Sequence, residues 1–326
     1  MITRRTAILL LFCVFAVLAT TGVAAQTVVL QIGSSAPVNS PWDLGLKKIA
    51  AEWARISGGK VRIVFPKSVA SSNQEDMIQK LEFTLDGAVL DTTGLAFIDD
   101  DLFMLSMPSV ITYDAEYEKA MKVALPILRK RLQDRFEVLS LTKGGWVRFF
   151  SNTSISTPDD LRKVRMGVTR SQDSLAKLLQ SIGVKTVKAD SASTLLQFNS
   201  GALDAMYSSP MYVGALWSQY RGVVTHMSAF KVAPFFGSIL IKRQSWDRIP
   251  EALRPQLLEA AARISDEIGA EAVRLEDEAI AAMKKNGLTV PAYTAADAAA
   301  WNSLYASKMK ARSEERRVGK ECRSRW

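Results

Sequence analysis

From Val28 onward the chain alternates short apolar runs with amphipathic stretches. Val28 to Ile32 is a short β-rich run. Ser40-Pro41 then opens a helix, with serine as the cap and proline suited to the first turn. Trp42, Leu46, Ile49, Trp53 and Ile56 follow at intervals of 4, 3, 4 and 3, one apolar face of a helix. Gly58-Gly59 stops it, and Lys60 to Phe65 alternates as a strand. This is a β-α-β unit, which predicts a parallel pair with a right-handed crossover.

The same reading predicts a helix over Asn73 to Leu85 and short mixed runs at Ala88 to Asp91 and Leu95 to Ile98. Asp114 to about Arg135 reads as helical, with Pro126 bending or splitting it. Phe136 to Leu141 and Trp146 to Phe150 read as two strands, and Thr157-Pro158-Asp159-Asp160 opens a helical turn. Ser174 to Ile182 and Ala192 to Asn199 are helices closed by Gly183 and Gly201. Leu203 to Tyr207 and Phe235 to Ile241 are strand-like.

The strongest periodic element comes last. Leu253, Leu257, Ala261, Ile264, Ile268, Ala272, Leu275, Ala279 and Met283 are spaced 4, 4, 3, 4, 4, 3, 4, 4, and Asn286-Gly287 is a stop. At 1.5 Å per residue such a helix runs roughly 50 Å, longer than one lobe of a protein this size. It predicts a brace across two lobes. The competing expectation is two helices broken near Gly269, because a mid-helix glycine is costly.

The ends alter the picture of the whole. MITRRTAILLLFCVFAVLATTGVAAQ has a basic start, an apolar stretch too short for a membrane span and small residues before Gln26. It reads as a secretory signal over residues 1–25. The segment RSEERRVGKECRSRW resembles translated adapter sequence, so 311–326 is expected to be a non-native tail. Of the formal charge of +9, Arg4 and Arg5 supply two and the tail a net three, leaving +4 on the body. That is too mild to argue for nucleic acid or an anionic membrane. Cys13 and Cys322 both lie in these ends, so the exported body has no disulfide.

Catalytic chemistry is sparse. His226 is the only histidine, and neither G-x-S-x-G, a P-loop nor G-x-G-x-x-G occurs. His- and Cys-based metal sites and Cys–His nucleophiles are therefore excluded from the body. Asp99-Asp100-Asp101 has the donors for Ca²⁺ but reads better as a solvated loop. No cofactor and no metal are expected, and the chain does not read as an enzyme.

Several segments resemble one known family. VVLQIGSSAPVNSPWDLGLKKIAAEWARISGGKVRIVFP and LDGAVLDTTGLAFIDDDLFMLSMPSVI are similar to the opening of the DctP-type solute receptors of TRAP (tripartite ATP-independent periplasmic) transporters. GGWVRFFSN followed by TPDDLRKVRMGV resembles their first crossing strand and the start of the second lobe. LLQFNSGALDAMYSSP and APFFGSILIKRQSWDRIPEALRP resemble the second contact strand and the return strand before the long helix.

The resemblance implies an α/β periplasmic-binding-protein fold: two lobes with mixed sheets, crossing hinge strands and a long bracing helix. Lobe 1 would comprise 26–148 plus about 231–262, and lobe 2 would comprise 149–230 plus about 263–310. The implied function is capture of a small organic solute, apolar or weakly carboxylated, and its delivery in the periplasm to integral membrane permease subunits. Alternatives are the binding protein of an ABC importer or of a sensor system, and a periplasmic hydrolase.

Family members carry an arginine in the second-lobe strand that grips a substrate carboxylate. Gly167 stands at that place here, with Arg165 and Arg170 nearby. This departure is similar to the TatP-type branch, which works with a tetratricopeptide-repeat partner. The ligand-binding residues expected on these grounds are Trp42, Trp146, Arg148, Gly167, Arg170, Met206, Tyr207, Ser208, Met211, Tyr212 and Phe236.

Overall fold

A computed structural model describes residues 27–304, apart from 70–72, 109, 170–171 and 191–192. The expected signal segment, the expected tail and Arg170 lie outside the described residues.

The chain begins β1 (Val28–Gly33), α1 (Pro41–Ile56), β2 (Val61–Val64), α2 (Gln74–Phe83), β3 (Gly87–Asp91), α3 (Thr92–Ile98) and α4 (Asp114–Leu132). β4 (Phe136–Ser151), α5 (Pro158–Arg162), β5 (Arg165–Val168), α6 (Asp173–Ser181), β6 (Lys185–Lys188), α7 (Thr194–Asn199) and β7 (Ala205–Ser208) follow. The rest is α8 (Pro210–Ala215), α9 (Trp217–Tyr220), β8 (His226–Met227), β9 (Ala233–Lys242), α10 (Arg243–Trp246), α11 (Arg254–Lys285) and a helix over 295–304.

The local signals act as read. Ser40 caps α1 by accepting from Asp43 N, and Gly58 and Gly59 end it at positive φ. Thr157 and Asp160 form a reciprocal capping box at α5. Pro126 does not split α4, which runs as one helix of 19 residues. The run at Leu95 to Ile98 belongs to a helix, capped by Asp91. The two strands expected over 136–150 are one, β4, with a register shift between Lys143 and Trp146 that Gly145 accommodates at φ +97°.

The strands pair in the order β2-β1-β3-β9-β4-β7-β5-β6, with β8 also on β4. β1 pairs in parallel with β2 and β3, and β5 with β6 and β7. These two parallel blocks meet through antiparallel pairings of β9 and β4. β4 belongs to both: residues from Phe136 to Val147 pair with β9, and Arg148 to Ser151 pair with β7. The ladder is thus unbroken, yet the apolar cores fall into two groups. Leu30, Trp53, Leu90, Tyr117, Trp146, Phe236, Ile239 and Ile264 are buried around the first block. Phe149, Phe150, Met166, Leu175, Phe198, Trp217 and Met283 are buried around the second.

α11 is continuous over 32 residues. Leu257 to Ile268 pack in the first group and Met283 in the second, so the helix braces both. Gly269 does not break it, because helix and strand approach closely there: a Cβ would lie 3.3 Å from the Lys143 carbonyl oxygen. At the first lobe the fully buried Trp53 indole donates to Leu257 O at 2.9 Å. Burial of such a ring contributes about 3 kcal/mol, and the hydrogen bond satisfies its polar edge.

Candidate functional site

The parallel strands of both blocks end at one cleft. Asp91 ends β3; Thr169, Asp190 and Ser209 lie just beyond β5, β6 and β7. In open α/β sheets ligands bind at the carboxyl ends of strands, because the backbone there turns away and leaves a crevice. The cleft has an inner chamber of about 170 Å³ and an outer one of about 440 Å³. Asp91, Thr93, Thr169, Ala189 and Asp190 line both.

Local signals place these side chains. Asp91 caps α3: its Oδ1 accepts from Thr93 N at 2.8 Å and Gly94 N at 3.0 Å. Asp190 accepts from Ser193 N at 2.8 Å, which shapes the loop before α7. Ser209 caps α8 by accepting from Tyr212 N at 3.2 Å, which turns Tyr212 toward the cleft. Tyr207 Oη donates to Ser106 O at 2.6 Å, tying β7 to the first lobe.

Five of the eleven residues expected from the sequence line the inner chamber: Gly167, Met206, Tyr207, Ser208 and Tyr212. Five others do not. Trp42 packs on the first-lobe core, where its ring sits 2.8 Å from the place a Gly237 Cβ would take. Trp146 is buried in that core; its Nε1 donates to Asp114 at 2.8 Å and its ring meets Tyr117 edge-on at 5.3 Å. Phe236 is buried there as well, because strand alternation sends it inward and leaves Phe235 for the cleft. Met211 is half-buried on α8, outside the chamber walls. Arg148 lies opposite Ser208, but its Nη1 reaches the other way and donates to Ala229 O at 2.6 Å. Its neighbour Val147 lines the chamber instead.

The charges near the cleft follow the same pattern. Burial lowers the Arg148 pKa, and the Glu276, Asp277 and Asp114 carboxylates counter that. Arg165 is not a substitute clamp, since its Nε and Nη2 hold Asp204 at 2.6 and 2.7 Å. That ion pair, chiefly the Arg165 hydrogen bond, draws the Asp204 pKa down to about 2. No described residue of the inner chamber is Lys or Arg. Lys188 lines only the outer chamber and lies 3.6 Å from Asp173. Burial pushes the Asp91 carboxyl above its usual range, against the two backbone N–H donors.

Little else offers chemistry. His226 shares a 2.8 Å hydrogen bond with Thr225 and carries a backbone bridge to Thr289. Asp99 and Asp101 face Arg131 at 2.6 and 3.0 Å, which accounts for these two carboxylates as ion-pair partners. Among the described residues, no group of three His, Cys, Asp or Glu could hold a metal ion.

A family model described as DctP, bacterial extracellular solute-binding protein, family 7, matches residues 32–315. The chain belongs to this family. The DctP-type resemblance seen in the sequence therefore holds across most of its length. The C4-dicarboxylate-binding periplasmic protein DctP of Rhodobacter capsulatus is 23% identical to this family-7 protein over 295 residues, covering 86% of this chain and 85% of that protein. A TRAP periplasmic solute-binding protein from Desulfovibrio salexigens, solved with bound orotic acid, superposes with a TM-score of 0.78 at 20% identity. It covers 87% of this chain and 92% of that one. One from Pseudomonas aeruginosa PAO1, solved with bound L-malate, gives 0.76 at 14% identity, covering 85% and 97%. These likenesses establish the two-lobed fold.

Asp91, Val147, Thr169, Gln172, Asp190, Ser209 and Phe235 of this family-7 chain were not among the residues expected from the sequence. A positional signal was available. Asp91 closes the apolar run GAVLD, and Thr169 and Asp190 follow strands of parallel units, where the crevice rule puts ligand contacts. No described helix is long and apolar enough to cross a membrane.

Proposed function

We propose that this family-7 protein is the periplasmic receptor of a TRAP transporter. It captures a small organic solute between its lobes and delivers it to an integral membrane permease, without catalysing a reaction. The observation that carries this is the cleft itself. Strand ends from two parallel blocks converge on it, and β4, β9 and α11 run across both blocks. Such bridges suit hinge closure, in which each lobe moves as a body.

Lobe 1 is assigned to 26–148 plus about 231–262, and lobe 2 to 149–230 plus about 263–310. The separation of the cores supports this. Ile264 and Ile268 pack with the first lobe, which moves the crossover on α11 to just past Ile268. Ala96 and Met107 pack with the second core and mark where the lobes touch.

The solute is not a simple C4-dicarboxylate. A carboxylate taken into the closed cleft needs a paired cation, and among the described residues Gly167, Arg148 and Arg165 supply none. The inner chamber is walled by hydroxyls from Thr93, Ser208 and Tyr212 as well as by Met206 and Phe235. It therefore suits a small solute that carries both polar and apolar surface. A tetratricopeptide-repeat partner rests on the departure at Gly167 alone.

Small-angle scattering tests the receptor reading. The radius of gyration of purified protein should fall when the small-molecule fraction of a host extract is added, and native mass spectrometry should show a bound mass. No compaction and no added mass would remove it.

A further inference from the structure

We propose that the solute carries a protonated amine and that Asp91 is its counter-ion. The inference rests on the receptor reading and names the chemistry recognised in the same cleft.

Asp91 lies where the inner and outer chambers meet, at the end of β3. Its Oδ1 is occupied by the backbone N–H groups of Thr93 and Gly94. Its Oδ2 has no hydrogen-bond or ion-pair partner among the described residues. Asp91 is half-buried in the chamber wall, and the groups that offset the loss of water around its carboxyl are those two N–H groups. No lysine or arginine is among them. Lobe closure removes more water from this point, so the uncompensated charge becomes more costly. Either the carboxylate takes up a proton or a positive charge arrives with the solute.

The neighbours favour the second outcome. Thr93 and Ser208 bring hydroxyl oxygens that can accept from an ammonium group. Phe235 and Tyr212 bring aromatic rings to the same wall, and ring faces attract cations once water is excluded. No Lys or Arg is among the described residues of the inner chamber, so none of those repels an ammonium. A dicarboxylate would meet Asp91 as a like charge instead.

Asp91→Asn separates the two outcomes. Asparagine keeps an oxygen for the α3 cap, so the fold is retained, and it mimics the protonated acid. The probes are four matched four-carbon compounds: 1,4-diaminobutane, 4-aminobutanoate, butane-1,4-diol and succinate. Calorimetry on the full chain should show binding by an amine-bearing member and none by the diol or succinate. Asp91→Asn should weaken that binding tenfold or more while the melting temperature without ligand does not fall. Diol or succinate binding as tightly as the amines overturns the inference, as does amine binding undiminished by Asp91→Asn. No amine binding at millimolar concentration overturns it as well. None of these results touches the receptor reading, which fails only if the host extract produces no compaction.

Discussion

Glu276 Oε2 accepts a 2.7 Å hydrogen bond from the backbone N–H of Trp146, across 130 residues of sequence. The contact joins the bracing helix α11 to β4 at its register shift, next to Gly145. Burial raises the Glu276 pKa to about 7, although the Trp146 N–H and the nearby Arg148 charge oppose the rise.

That rise sets a pH dependence. Between about pH 4.5 and 7 the folded chain holds a proton here that the unfolded chain has lost. Stability should therefore fall as pH increases through this window and level off above it, by about 3 kcal/mol at most. Glu276→Gln keeps an oxygen for Trp146 and removes the titration. Urea unfolding from pH 4.5 to 8 should show a steeper decline for the native chain than for the variant.

Gly145 has little freedom to change. Its φ is +97°, and a Cβ there would collide with the Glu276 carboxylate. Gly145→Ala adds backbone strain to displacement of a buried group, so a loss of about 2–4 kcal/mol is expected. Chemical denaturation reads it directly, and a loss below 1 kcal/mol would mean that the carboxylate moves aside freely.

Gly167 offers the reverse experiment. It lines the inner chamber, and an added Cβ would meet the Leu203 methyl carbons at 3.1 and 3.2 Å and the Ala205 carbonyl oxygen at 3.5 Å, so Leu203 must give slightly. Gly167→Arg should restore a cation to the cleft. Calorimetry with succinate should give no heat for the native chain and measurable heat for the variant. A folded variant that stays silent to succinate would show that this position does not direct a side chain at the solute.

The α1–α11 contact is set by Gly45, whose absent Cβ is replaced in space by the buried Ile268 side chain. Gly45→Ala should cost about 1–3 kcal/mol through overpacking. Adding Ile268→Val should return part of that loss. Thermal melting of the single and double variants checks both expectations.

The elements of this chain were largely legible in its sequence because their signals are local. The Ser40-Pro41 start, the Gly58-Gly59 stop and the α11 periodicity each depend on neighbouring residues. β6, α8 and α9 escaped because each is only four to six residues long, too short for a period to register. The single strand β4 read as two because Gly144-Gly145 looks like a turn, whereas the tertiary pairing with β9 carries the strand through it. Family order pointed to the segments around Gly167 and Met206 to Ser208, and these residues line the inner chamber. Which face each side chain takes was decided only by the assembled sheets. Pairing registers put Val147 and Phe235 at the cleft, while Trp146 and Phe236 pack in the first-lobe core and Arg148 reaches back to Ala229. A one-residue step along a strand reverses the direction of a side chain, and that step is set by partners far away in the chain.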